Sequence, residues 1–191
     1  MNLMTDAAAR AFDPTADLTT NAADILFYAT GNCAFGKVLI ARSIKGVCAI
    51  LLGDDASALQ ADLARRYPQS TLVQNTAIVC DDLAKVARYA DNPYEGLDFA
   101  LDIRGAPIQR RVWNALRSIP IGKTKSYMQV AQLINSAYPQ VAARIVANAC
   151  AANPLALVIP CHRIVRADGK LAGYRWGLER KRELLEKEAN A

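Results

Sequence analysis

The sequence predicts two folded parts in series: an α/β domain built on a small antiparallel sheet with helices, then an all-α domain that contains a helix-turn-helix. Three observations carry this reading. Between Gly36 and Leu52, two β-branched apolar runs flank the turn Ser43-Ile44-Lys45-Gly46, the pattern of a hairpin. Beyond Gly105 the apolar spacing becomes helical, broken by short turns. The charge also changes sign there: residues 1–103 carry 8 basic and 13 acidic side chains, whereas residues 104–191 carry 15 and 5. The expected boundaries are an N-terminal arm over 1–25, the α/β domain over 26–105 and the helical domain over 106–191.

Each element has a local reason. Residues 1–25 are rich in Ala, Asp and Thr without a period, which reads as a loosely held arm. Gly53-Asp54-Asp55 ends the hairpin, and Asp55 can cap a helix running to Arg66, before Pro68. Asp81 can cap a second helix to about Ala90, ahead of Asn92-Pro93. Leu97, Phe99, Leu101 and Ile103 alternate with Asp98, Ala100 and Asp102, the period of a strand with one wet face. Pro107 opens a helix to Arg117 that turns Val112, Trp113 and Leu116 inward, and Pro120 and Gly122 stop it. Ser126 and Gln129 form a capping box for a helix from Tyr127 to about Ile134. After a turn over Ser136 to Gln140, a third helix runs from Val141 to Ala151. Helix, turn, helix in a basic region fits a DNA-reading motif and also fits a plain helical hairpin.

Composition excludes several classes. With 191 residues, 52% of them hydrophobic, the chain can bury real cores. No stretch approaches the roughly 18 apolar residues of a membrane span, and the first thirty residues contain Asp6, Asp13, Asp17 and Asp24 in place of a leader pattern. A cytoplasmic protein without a membrane partner is the expectation. Cys33, Cys48, Cys80, Cys150 and Cys161 form an odd set with no CxxC pair, so neither disulfides nor a metal site is expected. The basic C-terminal half is the candidate nucleic-acid surface. Within it, Ala142, Ala143, Ala147, Ala149 and Ala151 leave Arg144 almost alone as a long polar side chain. Such a helix suits tight packing, and equally suits insertion into a narrow minor groove.

Chemistry concentrates after the apolar run Leu155 to Ile159, at Pro160-Cys161-His162-Arg163, which holds the only histidine. A buried cysteine can be an inert small hydrophobe. Beside a histidine and an arginine it can instead be a nucleophile, because cationic neighbours lower a thiol's pKa. Adjacent side chains diverge, so His162 would reach Cys161 through a water. Glu188 lies four residues after Leu184 and three after Leu185, on the inward face of the last helix.

Pro160-Cys161-His162-Arg163 resembles the signature of the O6-alkylguanine-DNA alkyltransferases (methylated-DNA-protein-cysteine methyltransferases). So do Ile119 to Tyr127, Cys150 to Pro154 and Gly173-Tyr174-Arg175-Trp176-Gly177, in the same order. The last segment is most similar to Ada-type members. The likeness is close from about Leu101 to Glu188 and loose over the hairpin, with Pro107-Ile108 standing where the family commonly has Thr-Phe. It implies a ribonuclease H-like first domain and an active-site cysteine carried by the helix-turn-helix domain. It also implies a suicide reaction without cofactor, in which Cys161 takes the alkyl group from O6 of guanine, and from O4 of thymine as well. The partner implied is double-stranded DNA containing O6-alkylguanine, entered from the minor groove by a monomer that flips the base.

Residue by residue, the resemblance implies that His162 deprotonates Cys161 through water and Glu188 orients His162. It makes Tyr127 the donor to guanine N3 and Arg144 the side chain that fills the space of the rotated nucleotide. Ala143 and Ala147 are expected against DNA. The carbonyl of Ile164, the amide of Arg175 and the ring of Tyr174 are expected to form the base pocket, and Asn153 to support the turn before Cys161. Competing readings are a damage sensor that binds alkylated DNA without reacting, a helix-turn-helix regulator reading the major groove, and a thiol hydrolase, which lacks a remote histidine. Both a free-standing protein and the C-terminal part of an Ada-type regulator fit the sequence.

Overall fold

The structure, a computed structural model, describes residues 24–134 and 139–190. Its first half is a four-stranded sheet in the order β3-β2-β1-β4. β1 (Ile25–Cys33), β2 (Gly36–Ser43) and β3 (Gly46–Gly53) are antiparallel neighbours, and β4 (Thr71–Gln74) runs parallel to β1. The sheet is therefore mixed, which corrects the expected antiparallel one. The expected hairpin is β2–β3. β1 escaped detection because its Gly31-Asn32 resembles a turn, and β4 because four residues show no period.

The expected arm over 1–25 is described only at its end. Its residues 1–23 lie outside the described residues, but Asp24 and Ile25 belong to the sheet: Asp24 accepts from Thr71 N at 2.8 Å, and its carboxylate pairs with Arg104. α1 (Ala56–Arg66) has the expected cap, Asp55 accepting from Ala58 N at 2.7 Å. α2 (Thr76–Asp91) starts earlier than expected. Asn75 caps it by accepting from Ile78 N, while Asp81 sits exposed inside the helix. Asn75 meets the orphan donors of a helix start at Ile78, six positions before Asp81, so the helix begins there.

α1 covers one face of the sheet, with Leu59 and Leu63 against Leu39, Ala49 and Leu51. On the other face Val38, Ile40, Ile50 and Leu52 share a core with Val86 and Tyr89 of α2. That core continues without a break into the second half: Val112, Trp113 and Leu116 of α3 (Pro107–Arg117), Val130 of α4 (Tyr127–Leu133), Val146 of α5 (Pro139–Ala152) and Leu184 of α6 (Leu178–Ala189). Trp113 satisfies its indole by donating to Ala149 O at 2.9 Å, fixing α3 on α5. The capping box of α4 is present, with Ser126 Oγ accepting from Gln129 N and Gln129 Oε1 accepting from Ser126 N. Of the expected Ser136 to Gln140 turn, 136–138 lie outside the described residues and Pro139 and Gln140 are already helical. Among the described residues no helix is long and apolar enough to cross a membrane.

β3 has a neighbour on one side only, yet all but its last residue are buried. Two backbone segments close its free edge. Val47 N donates to Ala100 O at 2.8 Å and Val47 O accepts from Asp102 N at 2.9 Å. Ile50 N donates to Pro154 O and Ile50 O accepts from Ala156 N, both at 2.9 Å. The first contact is all that exists of the strand expected over Leu97 to Ile103: its alternation survives in burial, but it pairs with one residue. The second docks the second half's Leu155 onto the sheet, just before Cys161.

Gly46 permits the first contact, with φ +139° and a backbone so close that a Cβ would lie 2.1 Å from Ala100 O. Gly46→Ala must push Ala100 off Val47. It is expected to destabilise the protein by about 3 kcal/mol or more, read as a lower denaturant midpoint at unchanged slope. A loss under about 0.5 kcal/mol would show that this edge contact contributes nothing.

Candidate active site

Asn153, fully buried after α5, organises the turn that presents the thiol. Its Oδ1 accepts from Leu155 N at 2.8 Å, and its Nδ2 donates to Ile159 O at 3.0 Å and to Cys161 Sγ at 3.2 Å. Within that turn the buried Leu157 has φ +71°, a conformation costing a non-glycine residue about 1–2 kcal/mol. The docking of Leu155 on β3 and the Asn153 bonds hold it there. Cys161–Arg163 forms a single 3-10 turn leading into β6 (Ile164–Val165), which lies parallel to β5 (Lys125–Ser126), the two residues before α4. Cys161 is thus brought under Tyr127, at the floor of a cavity of about 290 Å3.

His162, Arg163 and Glu188 meet behind the thiol. His162 Nε2 lies 2.8 Å from Glu188 Oε1, and both side chains are completely buried. Arg163 bridges both carboxylate oxygens, with Nε 2.9 Å from Oε2 and Nη2 2.8 Å from Oε1, and a further donation to Ile119 O. Tyr89 Oη and Gly122 N also donate to the carboxylate, each at 3.4 Å. Gly122 has φ +70° and its ideal Cβ would lie 2.9 Å from Glu188 O, so the loop can pass only as glycine. Burial alone raises the Glu188 carboxyl, but donation from His162 and Arg163 overcomes it and brings the pKa down to about 2. An ionised carboxylate can only accept, so Nε2 carries the ring hydrogen. The lone pair then sits on Nδ1, which is buried without a hydrogen-bond partner.

The expectation that His162 and Arg163 lower the thiol's pKa is overturned. Burial pushes Cys161 up to about 11, against opposing effects from the Asn153 amide and the Lys181 ammonium. His162 is itself pushed down by burial, more than Glu188 restores. Arg163 points its guanidinium at Glu188 and not at the sulfur. At rest the thiol and the imidazole are both uncharged.

The remaining expected residues sort by position. Tyr127 is half-buried and lines the cavity with Ala147, Cys150, Gly173 and Tyr174. Burial raises its phenol pKa, which keeps it a donor. On the alanine-rich helix, Ala142 and Ala149 pack in the core, whereas Ala147 and Ala151 line the cavity and Ala143 an adjoining groove with Tyr127. Arg144 is exposed on α5, away from the thiol cavity's lining. Tyr174 stacks edge-on to Trp176 at 5.2 Å, and its buried hydroxyl has no partner. Ile164 O accepts from Lys181 Nζ, and Arg175 lies at the cavity rim.

Sequence reasoning missed three participants. Lys181 is fully buried and also donates to Ala172 O, at 3.1 Å; its place three residues before Leu184 and seven before Glu188 was the available signal. Arg163 is a carboxylate partner, and Cys150 is a cavity wall as well as a helix residue. Nothing local in the sequence announced either.

The buried triad has a pH signature. Glu188 titrates below its unfolded value near 4.5, so its contribution is complete above that pH and is lost as pH falls toward 2. His162, depressed below 6.5, adds loss of the same sign below that value, because the unfolded chain binds the proton first. The denaturant midpoint should therefore hold between about pH 7 and 8 and fall steadily from pH 6.5 to 2. Glu188→Gln should cost about 3 kcal/mol at pH 7, because it strands the Arg163 charge, and should flatten the acid limb. An unchanged acid limb would contradict the ionised carboxylate.

The chain is similar to known proteins over most of its length. Residues 107–190 match the family model described as 6-O-methylguanine DNA methyltransferase, DNA binding domain. The chain is 46% identical over 162 residues to the bifunctional transcriptional activator/DNA repair enzyme Ada of Escherichia coli, covering 85% of this chain and 45% of that protein. It thus spans about half the length of that relative. It is 32% identical over 173 residues to a methylated-DNA–protein-cysteine methyltransferase of Candida albicans, covering 85% of this chain and 96% of that protein. A crystal structure of Mycobacterium tuberculosis OGT in complex with DNA superposes with a TM-score of 0.65 at 33% identity, over 85% of this chain and 92% of that one. On sequence and fold together, the chain belongs to the methylated-DNA–protein-cysteine methyltransferase family.

Proposed function

We propose that the protein repairs DNA by moving an alkyl group from O6 of guanine, and from O4 of thymine as well, onto Cys161, each molecule reacting once and without a cofactor. The observation that carries this reading is the thiol at the floor of a closed-sided cavity, backed by a histidine whose free lone pair is fixed at Nδ1 by Glu188. In the reaction, the Cys161 proton passes through a water to Nδ1. The sulfur bonds to the alkyl carbon as the carbon–O6 bond breaks, and the electron pair moves onto the guanine ring, where the Tyr127 hydroxyl donates at N3. The Arg175 amide at the rim and the Ile164 carbonyl, which accepts from Lys181 at rest, hold the purine edge, with Tyr174 as wall.

A base in a duplex reaches such a cavity only by leaving the stack. α4 and α5 serve as the helix-turn-helix of a DNA-binding and alkyl-acceptor domain over 106–191, behind a ribonuclease H-like domain over 26–105. The small side chains Ala143 and Ala147 let α5 approach the minor groove, and exposed Arg144 enters to occupy the vacated space. One monomer suffices for one lesion. The basic excess of residues 104–191 supplies affinity without sequence preference.

Incubation with duplex DNA containing O6-methylguanine should add one methylene unit to Cys161, saturating at one per protein by intact and peptide mass, and Cys161→Ser should add none. Binding without mass gain would instead make the protein a damage sensor. Arg144→Ala should slow transfer from duplex DNA about tenfold or more while leaving reaction with free O6-benzylguanine within twofold, since only the duplex must be opened. Equal slowing of both would remove the intercalating role.

A further inference from the structure

The cavity above Cys161 has two facing walls. One is α5, with Ala147, Cys150 and Ala151, and the other is the segment Gly173 to Arg175. Arg175 connects them: its backbone belongs to the second wall, and its Nη1 donates to Ala151 O in the first at 3.2 Å. Left alone, a guanidinium with 30% of its side chain exposed would not stay in place. Asp62, on α1 in the sheet half, holds it, with both carboxylate oxygens accepting from Nη2 at 2.8 and 2.9 Å. Asp62 is fixed in turn by Arg66, one helical turn on, which donates to Oδ2 at 3.1 Å and reaches Ala152 O with Nη1. Two helices and the cavity wall are thereby tied at one carboxylate.

The wall has other ties along its length. Lys181 holds Ala172 O, Arg180 holds Trp176 O at 2.9 Å, and the ring of Tyr174 packs on the core edge-on to Trp176. These ties run to α6 and to the core, and a Cβ on Gly173 would meet nothing within 4 Å. The Arg175 guanidinium is the tie from this segment to α5, at Ala151 O.

We propose that Asp62 is a specificity-determining positioning residue: through Arg175 it fixes the distance between the two walls, and so limits the size of the alkyl group that Cys161 can take. This rests on the alkyl-transfer reading above. A methyl group enters without parting the walls. A benzyl group requires the middle of the segment to move out, which breaks the bond to Ala151 and the pair with Asp62.

The test compares Asp62→Ala with the unaltered full chain on duplex DNA carrying O6-methylguanine or O6-benzylguanine, scored by intact mass against time. The benzyl-to-methyl rate ratio should rise about tenfold, the order expected of one charge-assisted pair at a partly exposed site, with methyl transfer within threefold. Amide hydrogen exchange over 172–177 should quicken in the free variant. Asp62→Asn, which keeps the shape and one acceptor, should shift both readouts less and in the same direction. In an Arg175→Ala background, Asp62→Ala should change the ratio no further, because its other partner, Arg66, reaches α5 at Ala152 O and makes no bond to the second wall. A ratio within twofold in the folded variant, unchanged exchange, or an equal effect in the Arg175→Ala background would overturn the proposal. An unaltered chain that takes no methyl group would instead overturn the alkyl-transfer reading itself.

Discussion

A single buried carboxylate dictates how the second half of the protein assembles. Glu188 has no access to water, so its charge must be met by donors of the protein, and these come from α2, from the loop after α3 and from the 3-10 turn. The last helix can therefore dock in only one register. A slip of one residue would bring Lys187 or Ala189 to the site and would pull Lys181 away from the carbonyls of Ile164 and Ala172. Two ionic groups seven residues apart on one face align α6. That alignment in turn orients the imidazole and fixes which of its nitrogens is basic.

Much of this was readable in the sequence, and what was not has physical causes. Helices with local start signals, at Asp55, Pro107 and Ser126, fall where their caps and prolines place them. Asp81 misled because Asn75 is an equally good cap placed earlier. β4 and the Leu97 to Ile103 segment depend on partners far along the chain, β1 and Val47, and so leave no reliable local trace. At the site, Cys161, His162 and Glu188 were legible from type and helical phase. The neutral state of the thiol was not: it follows from the depth of burial, which outweighs the cationic neighbours that the tetrapeptide displays. The Asp62–Arg175 pair spans 113 positions, and neither residue is unusual in its own segment.

The opposite charges of the two halves have a second use besides attraction to a polyanion. Asp24, Asp54 and Asp62 from the acidic half pair with Arg104, Arg180 and Arg175 from the basic half. Arg180 also donates to Phe35 O at 2.7 Å, beside the sheet. Partly exposed pairs of this kind add little stability one by one, but they are directional, and they work alongside the backbone contacts that close the free edge of β3. The sheet half acts as a frame: it receives Leu155, clasps the cavity rim and holds the start of the basic half in place.

The buried, uncharged sulfur bears on the working life of the molecule. With burial pushing its pKa up to about 11, the sulfur is held as a thiol at neutral pH. Only 4% of Cys161 is exposed. Peroxides and free electrophiles act on accessible thiolates, and at this residue they find almost none. For the single-use transfer proposed above, the acceptor must remain unspent while it waits, and burial of the sulfur serves that need.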